Sequence, residues 1–537
     1  MSLRTLFLLT SISSAAFAEV TLPAIFADQM VLQRDAAIPV WGTAAPREKV
    51  TVELGAQSLT ATAGPDGKWS VTLAPIKASM DPFELKAGSR TIHDVLVGEV
   101  WLAGGQSNMG YPVSSLPDSA DVLAQATDPA LRFFTVTKKT AAEPQPDLAG
   151  KWEASTPQTA KGFSAVGYFF ARELRRKLNC PVAVINASWG GTPIETWISI
   201  AALQKDPPLT STLQSWDKAV QQHAKIAADP SLAAQYETDL KRWRKEVEPV
   251  FNAATKAWNA NPTGPKPTPS SPEPQNPDPM GMPSPSRRPG TPSISYNAMV
   301  APIAGYAMQG VIWYQGEANG GAGLAYRELF PRLIQAWRAA WKAEFPFLFV
   351  QLPANGKDTT PVATAGWPWL REAQQMTLRE PRTGMAIAID VGNPNDVHPA
   401  RKIEVGQRLA LQARRVAYSE TLVASGPLYG SYKIESGKIR VSFTETGSGL
   451  TPGQAPWRAP GVEPLPTDHL TGFYIAGEDH QWVAAEAKLD GASVVVSSPE
   501  VPNPVAVRYG WANSPRCNLY NQQGLPAAPF RTDDWAK

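Results

Sequence analysis

Between Val97 and Val416 short apolar runs alternate with amphipathic helical stretches, and this rhythm limits what the chain can fold into. The runs Glu99–Leu102, Val182–Asn186, Gly310–Tyr314, Phe347–Leu352 and Met385–Asp390 are five or six residues long or less, too short for helices and nearly free of polar residues. Such runs read as strands buried on both faces, and strands that alternate with helices build an open, mostly parallel α/β sheet. The helical stretches are Phe163–Leu178, Leu324–Trp341, Trp369–Leu378 and Arg401–Ala413. In the first, Phe163, Val166, Phe170 and Leu174 recur at three- and four-residue spacing, which makes one buried stripe.

The flanks have a different period. From Val20 to Val97, alternating segments such as Val50-Thr-Val-Glu-Leu and Trp69-Ser-Val-Thr-Leu are separated by Gly, Pro and Asp-Gly turns, the pattern of a small antiparallel β-sandwich. After Ala417, Lys438-Ile-Arg-Val-Ser-Phe and Ala492-Ser-Val-Val-Val-Ser repeat that pattern. The α/β region is itself interrupted. Leu213 to Trp258 is helical and charge-rich, and Asn261 to Pro292 is proline-dense with almost nothing apolar. A helical pair followed by an extended, mobile surface loop is expected there. At the N-terminus Arg4, the apolar stretch Thr5 to Ala15 and Ala16-Phe17-Ala18 fit a cleaved secretory leader. The expected organisation is therefore 1–18 signal peptide, 19–96 N-terminal β-sandwich, 97–416 α/β domain with an insertion at 203–294, and 417–537 C-terminal β region. The chain is expected to be exported, to the periplasm or outside the cell.

Polar, glycine-rich sequence follows four of the five α/β strands: Gly104-Gly105-Gln106-Ser107-Asn108, Ser188-Trp189-Gly190-Gly191, Gln315-Gly316-Glu317-Ala318-Asn319 and Gly392 to His398. In an open parallel sheet all carboxyl ends share one edge, where ligands bind, so four separate blocks converge there. Ser107 lies in a tight turn between strand and helix, where a serine projects into a cleft and faces helix N–H donors. A hydroxyl becomes a nucleophile when an imidazole takes its proton. Of the five histidines, only His398 falls at a carboxyl strand end. Asp396 and Asp390 are nearby carboxylates that can hold its tautomer. The backbone N–H groups of Ser107 and Gly190 and the amide of Asn319 are candidate oxyanion donors. Gln106 and Gln315 are candidates to bind substrate. Each residue alone has a blander reading: Ser107 as a helix N-cap, Asn319 in an Asx-turn, Gly190-Gly191 as a turn, His398 as a helix-start residue. The convergence favours the joint reading.

Val100-Trp-Leu-Ala-Gly-Gly-Gln-Ser107-Asn-Met109 resembles the first block of the sialate O-acetylesterase family, serine esterases of the SGNH hydrolase group. Ile185–Ile194, Gly310–Asn319 and Asn395–Pro399 resemble its later blocks in the right order, and the likeness extends to Gly472–Gly477 and Pro529–Trp535. It spans the mature chain except roughly Asp206 to Pro292. The resemblance implies an SGNH-like fold and deacetylation of sugars, with Ser107 as nucleophile, Gly190 and Asn319 as oxyanion donors and His398 as base. It also implies either 9-O-acetylated sialic acid or plant-type polysaccharides as substrate. In most SGNH hydrolases the supporting aspartate lies three residues before the histidine, where this chain has Asn395. Either Asp396 replaces it, or Ser107 and His398 act as a dyad.

Composition removes other classes. Lys plus Arg is 50 and Asp plus Glu 48, a net charge of +2 that provides no basic field for nucleic acid. No apolar stretch reaches the ~20 residues of a membrane span. Cys180 and Cys517 are the two cysteines, too few for a thiolate zinc site, and a buried free thiol is expected at Cys180. No His-Glu-x-x-His motif occurs, so neither a metal nor another cofactor is expected. The competing non-enzymatic reading is a carbohydrate-binding protein, since two β-sandwiches and 18 tryptophans suit sugar stacking.

Overall fold

The computed structural model describes residues 20–535 except 262, 285–286, 357–360, 362–365 and 455–463. The leader-like residues lie outside that set. The centre of the fold is a seven-strand run made of β1 (Arg90–Gly105), β2 (Asp128–Val136), β3 (Gly150–Ser155), β4 (Val182–Ser188), β5 (Gly310–Tyr314), β6 (Phe347–Gln351) and β7 (Thr383–Ile387). Its order is β7-β6-β5-β1-β4-β2-β3, parallel throughout except for the antiparallel edge strand β3. Four of the five inner strands, β4, β5, β6 and the second half of β1, are buried at every position, as strands covered on both faces must be.

The helices are α1 (Ala165–Leu178), then α2 (Thr210–Ala228), α3 (Pro230–Glu246) and α4 (Glu248–Ala260) of the insertion, and α5 (Gly323–Trp341), α6 (Trp367–Met376) and α7 (Lys402–Val416). Trp313 of β5 packs edge-on to Trp337 of α5 at 5.7 Å and to Trp197 at 6.2 Å, all three fully buried. These large rings fix the distance between sheet and helix layer.

Chain order explains where a site must lie. From β1 the sheet grows one way through β4 and β2 and the other way through β5, so the direction of winding reverses at β1. Ligands bind at such a reversal, beyond the carboxyl ends. The register makes the ends level: Gly105 of β1 pairs with Ser188 of β4 on one side and Tyr314 of β5 on the other. Three of the polar blocks therefore leave the sheet side by side.

The expected boundary between 96 and 97 falls inside β1. The first half of that strand pairs with Ser79–Ala87 and Val31–Gln33 of the N-terminal region, and its second half enters the α/β sheet. The edge pair β2–β3 was not among the expected strands. Beyond α7 the described residues form two four-stranded sheets and a small two-stranded pair. Arg371 of α6, fully buried, donates to the carbonyls of Leu352, Pro353, Ala512 and Asn513, and so ties the C-terminal region to the α/β unit.

The insertion departs from expectation in two ways. Its described residues form three long helices rather than a pair. Its proline-rich segment also lies back on them: the Trp243 indole donates to Ser271 O at 2.9 Å, His223 Nδ1 is 2.9 Å from Asp278, and Met280 is buried with Ala219 and Ile294. Proline lacks the N–H for regular structure but still presents carbonyls and an apolar ring, and those suffice for packing against tryptophan. The cysteines are free and both buried. Among the described residues no helix is long and apolar enough to cross a membrane.

One ion pair under β7 allows a stability prediction. Asp390 accepts two hydrogen bonds from Arg408 of α7, at 2.6 and 2.7 Å, and one from the Tyr520 hydroxyl at 3.2 Å; the paired side chains are 2% and 8% exposed. Asp390→Asn strands the guanidinium in a buried site, an expected loss of about 3–5 kcal/mol. Differential scanning calorimetry should show a Tm lower by roughly 5 °C or more. An unchanged Tm would contradict the pair's role.

Candidate active site

Ser107 follows β1 in a single turn closed by the N–H groups of Met109 and Gly110 donating to Gln106 O, both at 3.0 Å. No helix begins there: the next helical residues are Val113–Ser115 and Ser119–Ala124. The expected helix N-terminus behind the serine is therefore absent, and any donors come from the turn itself. The turn needs Gly105, whose φ is +129° and whose added Cβ would stand 2.2 Å from Tyr314 O.

His398 Nε2 is 2.8 Å from Ser107 Oγ, so the block after β7 does reach the block after β1. Burial lowers the imidazole pKa below its ordinary value; Asp396 opposes that shift and Lys402 adds to it. Asp396 Oδ1 accepts from the His398 backbone N–H at 2.8 Å and stands 3.5 Å from Nδ1. The latter is an ion-pair contact rather than a well-formed hydrogen bond. Asn395 is exposed, and its N–H donates to Asn393 Oδ1 at 3.0 Å. Asp390 is engaged with Arg408 and Tyr520, which places it under the turn and away from the imidazole.

Gly190 lies directly over the serine. A Cβ there would be 3.1 Å from Ser107 Cβ, tighter than ordinary contact, so the approach suits glycine. Among the described residues the N–H groups of Ser107 and Gly190 have no acceptor. Asn319 is held from three sides: its Oδ1 accepts from Ile194 N–H at 2.9 Å and Gln315 Nε2 at 2.8 Å, and its Nδ2 donates to Glu195 Oε2 at 3.0 Å. One of the two Nδ2 hydrogens meets Glu195, which leaves the other for a ligand. Glu195 was not singled out from sequence, because nothing in its spacing marks it as a partner of Asn319.

Gln106 and Gln315, expected to touch substrate, are both buried. Gln106 Oε1 accepts from Ala318 N–H at 3.1 Å, and Gln315 donates to Thr192 O at 3.1 Å while accepting from the Tyr326 hydroxyl at 2.8 Å. Through Gln106 Oε1 and both ends of the Gln315 amide they tie the β1, β4 and β5 loops together. Sequence reasoning also passed over a deeper cluster of Asn108, Glu317 and Lys402. Asn108 Nδ2 donates to Glu317 Oε1 and to Val397 O, and its Oδ1 accepts from Lys402 Nζ. At the rim, Arg288 of the insertion packs its stem on Gly191, 2.8 Å from where a Cβ would stand. It lies close enough to Lys138 to add to the lowering of that ammonium's pKa by burial.

A hydroxyl on an imidazole, beside two unengaged backbone N–H groups and a fixed amide, can attack a carbonyl and hold the oxyanion that forms. Residues 288–415 match the family described as carbohydrate esterase, sialic acid-specific acetylesterase. The chain is 36% identical to a carbohydrate acetylesterase from Xanthomonas citri of known structure, with a TM-score of 0.76, covering 96% of this chain and 100% of that one. It is 29% identical to the sialate O-acetylesterase of Rattus norvegicus, over 93% of this chain and 92% of that protein. To the sialate O-acetylesterase of Homo sapiens it is 26% identical, over 94% and 90%.

Proposed function

Because the chain belongs to the sialate O-acetylesterase family of carbohydrate esterases and is a carbohydrate acetylesterase, we propose that Ser107 is its nucleophile and His398 its general base. The observation that carries this is the 2.8 Å contact between Ser107 Oγ and His398 Nε2. Ser107 attacks the acetyl carbonyl as His398 takes its proton. The oxyanion is held by the N–H groups of Ser107 and Gly190 and by Asn319 Nδ2, each such donor worth about 3 kcal/mol. His398 then returns the proton to the leaving sugar hydroxyl. Water, deprotonated by the same imidazole, releases acetate from the acetyl-serine. Asp396 orients His398 and stabilises the imidazolium across its 3.5 Å contact.

Two expectations follow from this geometry. The base works only when neutral, so kcat/KM falls as pH drops through the His398 pKa. Burial places that pKa below the ordinary value of ~6.5, so the acid limb should have its midpoint below ~6.5. A midpoint above ~7 in a pH–rate profile would contradict the reading. Asp396 is 53% exposed, so its charge is partly screened. Asp396→Asn should therefore cost kcat about 10–100-fold, less than the ~10⁴-fold seen for a buried triad aspartate. A loss below about threefold removes Asp396 from the mechanism and leaves a dyad.

The proposed substrate is an O-acetylated acidic sugar of the sialic acid kind. The family match supports this. Acetate release from O-acetylated sialosides, set against acetylated xylan and xyloglucan, tests it: faster release from the neutral polysaccharides would overturn the choice. Residues 1–18 support export of the mature enzyme.

A further inference from the structure

The catalytic reading uses Ser107, His398 and the oxyanion donors and leaves three buried polar residues without a role. Asn108 is 0% exposed and Lys402 is 0% exposed. Glu317 is also enclosed, and its Oε2 has no hydrogen-bond partner among the described residues. They come from three different blocks. Asn108 follows the nucleophile, Glu317 opens the turn that ends at Asn319, and Lys402 begins α7 just beyond His398.

The contacts between them have a direction. Asn108 Nδ2 donates to Glu317 Oε1, which fixes the nucleophile turn to the oxyanion turn. It also donates to Val397 O at 2.9 Å, the carbonyl immediately before His398. Lys402 Nζ donates to Asn108 Oδ1 at 2.5 Å and lies over the rings of Tyr111, at 4.8 Å, and Tyr314, at 5.4 Å. One amide thus joins all three catalytic blocks, and one ammonium fixes which way that amide faces, because only Oδ1 can accept from Lys402. The base reaches Ser107 on a long loop from β7, the far edge strand of the sheet. Nothing in the sheet register sets its position there.

We propose that Asn108, Lys402 and Glu317 form a buried clamp that positions the His398 loop on the Ser107 turn, making them positioning residues for the esterase reaction. The proposal rests on the assignment of Ser107 and His398. None of the three touches Ser107 Oγ or the imidazole ring through a hydrogen bond, so the clamp acts through the backbone at Val397 and through charge. The groups facing Lys402 are Glu317 and Tyr314 from the β5 end, Tyr111 and Asn108 from the turn after β1, and Asp396 from its own loop. Those bearing on His398 are Asp396, Lys402 and Ser107. Burial brings the Lys402 pKa down to about 7 and raises that of Glu317. The Lys402 charge opposes protonation of His398.

The test measures kcat, KM, Tm and the acid limb of kcat/KM for Lys402→Met, Asn108→Ala and the double variant Lys402→Met/Glu317→Gln. A loosened loop should lower kcat about 10–100-fold in all three with KM within about twofold, since small misplacements cost rate rather than binding. Lys402→Met should also move the acid limb to higher pH, because a charge that disfavoured the imidazolium is gone; Asn108→Ala, which keeps the charge, should not. The double variant removes the stranded carboxylate and should recover Tm without recovering kcat. If Lys402→Met fails to fold, the double variant decides the matter alone. Recovery of kcat together with Tm, or a wild-type kcat and acid limb without Lys402, would overturn the clamp. Activity retained in Ser107→Ala would instead overturn the catalytic assignment beneath it.

Discussion

Ser107→Ala should lower kcat for acetate release by at least about 10⁴-fold while leaving Tm unchanged within a degree or two. The size follows from what the hydroxyl does. In the proposed mechanism it supplies the atom that bonds to the acetyl carbon and gives its proton to His398 Nε2, 2.8 Å away. What remains without it is activation of water by the oxyanion donors and binding, a small residue of the full effect. The side chain is half-exposed and its loss opens no core cavity, so stability is not at stake. A variant with activity within tenfold of the parent would show that acetyl transfer does not pass through this serine.

His398→Ala should have an effect of the same order, about 10⁴-fold or more in kcat. Without the imidazole the serine hydroxyl keeps its proton, and a neutral hydroxyl attacks an ester slowly. Because the two residues act as one unit, Ser107→Ala/His398→Ala should be no slower than either single variant by more than a fewfold. Multiplicative losses would mean that the two residues serve separate steps. That outcome would contradict the shared proton transfer on which the acetyl-serine route depends.

The sheet was legible because its strands are buried on both faces. Gly310–Tyr314 and Val182–Ile185 are uninterrupted apolar runs in the chain, and the site's blocks follow the strands they build. The edge pair β2–β3 was not legible: Asp128, Arg132 and Glu153 break the pattern, and only the pairing across the sheet makes them strands. The site divides in the same way. Ser107 stands out as a candidate because a strand end fixes where a residue emerges, whereas His398 lies on a long loop beyond β7 and only the folded structure brings its Nε2 to 2.8 Å from Ser107 Oγ. Gln106 and Gln315 occupy equivalent positions, but the scaffold bonds of Gln106 Oε1 and of the Gln315 amide depend on side-chain direction, which the sequence does not give. Lys402 reads in sequence as an ordinary helix-start lysine. Its burial depends on Tyr111, Tyr314 and Asn108 arriving from elements far away in the chain. The proline-rich segment shows the same limit. Its few apolar residues predicted no core, yet Met280 and its carbonyls found partners on α2 and α3.

In the proposed route acetate leaves through an acetyl ester on Ser107, activated by His398. A fluorophosphonate probe, which bonds only to an activated serine, tests it most directly when the labelled protein is digested and the modified peptide sequenced by mass spectrometry. Inactivation should run in step with a single adduct on Ser107, with no labelling of Ser107→Ala and labelling of His398→Ala slowed at least about 100-fold. Inactivation with the adduct on another residue, or full activity after Ser107 is stoichiometrically labelled, would contradict it.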